Sequence, residues 1–139
     1  MDVNPPRPYQ EVEHTADVAL RVWGATQQEL FAHAALGLAE LLADELGPEL
    51  EAWHDVALDS PDMETLLIDW INELIYLGEM HGCILDRYAF IALDPISLRA
   101  RVTGHRARRI KKAVKAATFH NLEIEHAASG YAVTIVFDV

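Results

Sequence analysis

The spacing of apolar residues changes period several times along this chain, and each change marks an element. Residues 18–23, VALRVW, alternate Val18, Leu20 and Val22 against Ala19, Arg21 and Trp23, the period of a strand with one apolar face. Gly24 ends it. Thr26 and Glu29 then form a capping-box pair, and Leu30, Phe31, Ala34, Leu38, Leu41 and Leu42 recur at helical spacing until Gly47-Pro48 stops the run. Residues 52–58, AWHDVAL, predict a second strand. Ser60-Pro61 supplies an N-cap and a first-turn proline for a longer helix, whose stripe is Leu66, Leu67, Trp70, Ile71, Leu74, Ile75 and Leu77. Asp62, Asp69 and Glu73 fall on its wet side.

Beyond His81-Gly82, CILDRYAFIAL and SLRARVTG alternate as two strands joined at Asp94-Pro95. ATFHNLEIEH and YAVTIVFDV repeat the pattern around Ala128-Ser129-Gly130, a turn signal. The order strand, helix, strand, helix and then four strands predicts a single α+β domain over residues 1–139, with residues 1–8 as a loose arm. It reads as nested strand-helix-strand-strand modules, in which mixed β-sheet layers pack with two long helices. The inner module spans about 52–104, inserted in an outer one made from 18–45 and 117–138. Such nesting brings the first and last strands into the same half.

Length and composition fit this picture: 139 residues, 51% of them apolar, suffice for one core without staples. The single cysteine, Cys83, excludes an intrachain disulfide and reads as a small buried hydrophobe in a reducing compartment. No basic-apolar leader stands at the start, and every apolar run is shorter than the roughly 20 residues that span a bilayer. The expectation is a soluble cytoplasmic protein without a membrane partner.

Charge changes the picture more. A formal net charge of -11 argues against gripping nucleic acid with the whole surface. Yet Arg101, Arg106, Arg108, Arg109, Lys111, Lys112 and Lys115 crowd into one stretch, a basic ridge on an acidic body. Two readings stay open for it: a solvated loop, or a dock for an acidic or phosphate-bearing partner.

Candidate chemistry is sparse. There is no HExxH, no phosphate loop and no serine placed for a nucleophile, since Ser60 reads as a cap and Ser129 as a turn residue. If the outer strands are neighbours, Asp17 before one and Asp138 at the end of the other meet at one sheet edge. Two close carboxylates repel unless a cation lies between them, and oxygen donors favour Mg²⁺, Mn²⁺ or Ca²⁺ over zinc. His14 adds a nitrogen or orients Asp17. A plain turn, with the aspartate bonded to backbone, is the other reading. Lys115 is either a solvated charge or a phosphate-binding group.

The motifs HTADVALRVWGATQQELFAHAALGLAELL at 14–42, LLIDWINELIYL at 66–77, VKAATFHNLEI at 114–124 and the final VFDV together resemble the archease family over nearly the whole chain. Archeases are accessory proteins of the RtcB-type RNA ligase, which joins tRNA halves and repairs broken RNA with GTP and Mn²⁺. The resemblance implies tRNA splicing and RNA repair as the setting. The protein would promote guanylylation of the ligase and its multiple turnover without being a ligase, and RNA contact would be indirect. A second role is implied too, as chaperone or specificity modulator of a tRNA cytosine-5 methyltransferase. By the same resemblance the divalent metal (Ca, Mg or Mn) falls on Asp17 and Asp138, with His14 and a terminal carboxylate or carbonyl of Val139 close by, and the essential lysine is Lys115. Ala113 stands where many relatives carry an acidic residue, and Glu73 matches a recurrent family position.

Overall fold

The computed structural model describes residues 7–13 and 18–139. Two sheets and two helices make up the fold. The first sheet contains β1 (Tyr9–Glu13), β2 (Val18–Gly24), β7 (Ala116–Thr118), β8 (Glu125–Ala127) and β9 (Gly130–Asp138). Its order is β1-β2-β9-β7, with β8 also on β9. The second contains β3 (Ala43–Glu49), β4 (His54–Asp59), β5 (Cys83–Asp94) and β6 (Ser97–Ile110), built around the long β6. Every pairing among the described residues is antiparallel. Helices α1 (Gln27–Leu42) and α2 (Met63–His81) each touch both sheets. This explains why their apolar stripes are broad: a helix covered on two sides buries most of its circumference. No helix among the described residues is long and apolar enough to cross a membrane.

One core joins all layers. Val18, Leu20 and Val22 from β2 and Val133, Ile135 and Phe137 from β9 meet Leu30, Phe31 and Leu38 of α1, while Leu98, Ala100 and Val102 of β6 close the far side. The alternation read in VALRVW and YAVTIVFDV is therefore the core face of adjacent strands. Trp70 lies at the centre, fully buried, its Nε1 donating to the Phe31 carbonyl of α1 at 3.0 Å. Cys83 is buried as expected, and burial pushes its thiol pKa up against the opposing pull of Arg106.

Several boundaries depart from the sequence expectation. Helix α1 begins as predicted, with the Thr26 side chain accepting from Glu29 N–H, but it ends at Leu42 instead of running to Gly47-Pro48. ADELGPE becomes the edge strand β3, whose register on β6 is irregular. Local propensity there favours helix, but the β6 ladder and opposing arginines outweigh it. Pro48 is tolerated because an edge strand need not donate on its open side. With β3 included, the second sheet draws on residues 43–110, wider than the inserted 52–104. Strand β1 was not anticipated: YQEVE has little apolar signal, and it exists by pairing with β2. ATFHNLEIEH is split, with a turn around Asn121 between β7 and β8.

The second helix is capped two residues later than Ser60. Asp62 is the N-cap, its carboxylate accepting from Thr65 N–H at 2.7 Å, while Ser60 donates instead to Asp69 at 2.7 Å. The hydrogen bonds from Thr65 hold the Asp62 carboxyl below its ordinary 3.8, slight desolvation opposing them. A depressed carboxyl stabilises the fold above the unfolded-state pKa and loses that contribution as pH falls through the folded value. The Thr65 amide resonance should therefore titrate with a midpoint below 3.8; a midpoint at or above it would contradict the cap. At the other end Gly82, at φ 61°, closes α2 with a left-handed C-cap whose N–H reaches Gly78 O.

Candidate functional site

Register decides which chain segments meet. Strand β2 pairs with β9 from Val18↔Phe137 to Gly24↔Tyr131, and β7 joins the other side of β9 from Ala116↔Asp138 to Thr118↔Val136. The last residues of β9 thus lie between the start of β2 and the start of β7. Lys115 N–H donates to the Asp138 carbonyl at 2.9 Å and ties the segment before β7 to the end of β9.

Side-chain direction follows from the pleat. Phe137 points into the core and is fully buried, so Asp138 faces the opposite side, exposed, with exposed Val139 after it. Lys115, one residue before β7, is exposed as well. Among the described residues neither the Asp138 carboxylate nor the Lys115 ammonium has an ion-pair partner. The structure therefore brings Asp138, Val139 and Lys115 to one end of the first sheet. Asp17 and His14 lie outside the described residues; the chain connects Asp17 directly to Val18, the partner of Phe137. Among the described residues no group of three His, Cys, Asp or Glu is assembled for a metal.

Helix α2 contributes a residue that the sequence reading passed over. Asn72 bonds the main chain of Ala117 in β7, at 2.7 Å to its N–H and 3.3 Å to its carbonyl. The available signal was an amide within the apolar run LLIDWINELIYL.

The basic ridge is a strand more than a loop. Arg101, Arg106, Arg108 and Arg109 all stand on β6. Arg101 pairs with Asp55, Arg108 with Glu45, Arg109 with both Asp44 and Glu45, and Lys112 with Glu11. Strand β3, where the sequence predicts the end of a helix, supplies the partners of Arg108 and Arg109, while β4 and β1 supply those of Arg101 and Lys112. Arg106, Lys111 and Lys115 have no ion-pair partner among the described residues.

A model described as the Archease protein family matches residues 9–139. The chain belongs to the archease family. A protein named "Protein archease" from Saccharolobus solfataricus is 34% identical over 138 residues, covering 96% of this chain and 99% of its own length. Another of that name from Methanosarcina mazei is 31% identical over 139 residues, covering 94% and 95%. Two solved structures share the fold. The solution structure of protein 1598 from Methanobacterium thermoautotrophicum superposes with a TM-score of 0.72 at 23% identity, covering 96% of this chain and 100% of that one. The crystal structure of a Thermotoga maritima archease, called a "possible chaperone", gives 0.67 at 23% identity, covering 100% and 99%. The archease fold is thus α+β, as the element order predicts.

Proposed function

We propose that this protein is a cytoplasmic accessory factor of an RtcB-type RNA ligase, promoting guanylylation of the ligase and its multiple turnover in tRNA splicing and RNA repair. The register of β2, β9 and β7 carries the reading, because it gathers at one exposed sheet end a carboxylate and a lysine that have no ion-pair partner among the described residues. Membership of the archease family supports it.

Oxygen donors dominate the site, as a hard divalent cation requires. Asp138 and Asp17 would hold Ca²⁺, Mg²⁺ or Mn²⁺, with Val139 contributing a main-chain oxygen and His14 a nitrogen or a bond to Asp17. Such a cation offsets phosphate charge during nucleotidyl transfer. Lys115 would place a second positive charge beside the same phosphates. In this reading the ligase performs the joining and uses the GTP and Mn²⁺, and this protein only assists.

Chaperoning of an RNA-modifying enzyme, such as a tRNA cytosine-5 methyltransferase, is the second reading, favoured by Arg106 and Lys111, which have no ion-pair partner among the described residues. Most of the ridge is already neutralised by Asp44, Glu45, Asp55 and Glu11, which weakens it as a dock for RNA. The test is multiple-turnover RNA ligation by the cognate ligase with GTP and Mn²⁺, with and without this protein. Stimulation is the expected result. A folded protein that leaves turnover unchanged would sink the ligase reading and favour the chaperone.

A further inference from the structure

Asn72 stands at the border of the apolar stripe of α2, between buried Ile68 and Ile75 and the polar side that carries Asp69 and Glu73. Ile71 and Leu74 beside it are buried in the core, and Asn72 itself is half-buried, at the level of α2 that meets β7. Its side chain crosses from the helix to the sheet edge. Ala117 N–H donates to Asn72 Oδ1 at 2.7 Å, and Asn72 Nδ2 donates back to the Ala117 carbonyl at 3.3 Å.

The physical need for this clamp is specific. Strand β7 has three residues and lies at the end of the path β1-β2-β9-β7, so among the described residues it has a strand neighbour on one side only. Edge strands present outward N–H and C=O groups that need partners, and Ala117 is only 5% exposed, too little for water to serve both. A carboxamide carries an acceptor and a donor side by side, so it answers both groups of one residue as an adjacent strand would. An ionised carboxylate cannot reproduce that pair, because it has no donor for the Ala117 carbonyl.

Two residues before Ala117 stands Lys115, whose own N–H is bonded to Asp138 O at 2.9 Å. The start of β7 is thus held from two directions: by β9 through Asp138 and by α2 through Asn72. We infer that Asn72 is a positioning residue, which clamps Ala117 and thereby fixes Lys115 beside Asp138 at the sheet end. It touches no substrate; it acts through the backbone that carries the lysine. Its functional consequence rests on the ligase reading, but the clamp itself does not.

The experiment has two arms on the full chain. Amide exchange of Lys115 and Ala117 is measured in the parent, Asn72→Ala and Asn72→Asp, and ligase stimulation is titrated for each, with Lys115→Ala as the floor. In Asn72→Ala the Ala117 and Lys115 amides should exchange about tenfold faster, on the scale of one or two lost hydrogen bonds, while α2 amides keep their parent rates. Maximal stimulation should fall about tenfold toward the Lys115→Ala level, with the half-maximal concentration unchanged, the split expected when a transition-state contact is lost and docking is kept. Asn72→Asp retains the acceptor for Ala117 N–H, so that amide stays protected and stimulation recovers part way. That variant decides alone if the alanine protein does not fold, and loss of Ala117 protection in it would overturn the clamp. Parent-like exchange in Asn72→Ala, or full stimulation despite faster exchange, overturns the positioning role. If the parent protein itself fails to stimulate, the ligase reading falls while the exchange arm still judges the clamp.

Discussion

Asp138→Ala is expected to yield a protein that folds like the parent and no longer stimulates the ligase. The fold tolerates the change because the side chain is exposed and bonded to nothing among the described residues, while the interaction that matters to the sheet, Lys115 N–H to Asp138 O, is made by the main chain. Phe137, the neighbour that anchors β9, is untouched and fully buried. Surface changes of this kind usually stay within about 0.5 kcal/mol, so the unfolding midpoint should match the parent's. Activity should not. Removing a carboxylate from a cation site is expected to reduce stimulation by more than about tenfold, the low end of the cost of losing even an outer partner of a metal. Asp138→Asn separates charge from shape: it keeps an oxygen and loses the negative charge, so it should fail almost as badly. Undiminished stimulation by a folded Asp138→Ala protein would remove the carboxylate from the mechanism.

Trp70→Ala should have the largest effect on stability. The indole is fully buried, donates across the helix pair to Phe31 O, and packs edge-on against Tyr88 and tilted against Phe90 of β5, with centroids 5.7 and 5.4 Å away. It therefore joins α2 to α1 and to the second sheet at once. Truncating a buried tryptophan costs about 3–5 kcal/mol, a large share of the roughly 5–15 kcal/mol that holds a domain folded. Urea unfolding should show this as a much lower midpoint, and Trp70→Phe should lie between, since it keeps an aromatic core but gives up the hydrogen bond. An unfolding free energy for Trp70→Ala within about 1 kcal/mol of the parent's would mean that the layers are held elsewhere.

Local pattern marked the candidates without deciding them: Asp138 follows an alternating apolar strand and Lys115 precedes another, but a plain turn and a solvated charge remained open until the family resemblance assigned their roles. Nesting put the first and last strands side by side, and β2 does pair with β9; that β7 lies on the other side of β9, which brings Lys115 to the same end, came only from the fold. Asp17 and His14, the other half of the expected metal site, lie outside the described residues. Asn72 was hidden for the opposite reason: one amide in an apolar helix has no local pattern, and its meaning lies in Ala117, far away in the chain.

The basic ridge shows the same division. From sequence it was a cluster of cations without partners, since nothing local to residues 101–115 opposes it. The acids that do so, Asp44, Glu45 and Asp55, come from strands aligned on β6 only in the folded chain. What the sequence by itself determined was every element whose apolar period is long and strong: both helices, the core strands β2 and β9, the β5–β6 hairpin, and the α+β class that their order implies. Burial of a continuous face is dictated by the residues on it. Tertiary structure alone decided the weak edges: β1 as a strand where no element was expected, β3 as a strand in place of the end of a helix, the Asp62 cap, and Asn72 against β7. Their own residues favour no one conformation strongly, so the hydrogen bonds and charges offered by a distant neighbour set the outcome.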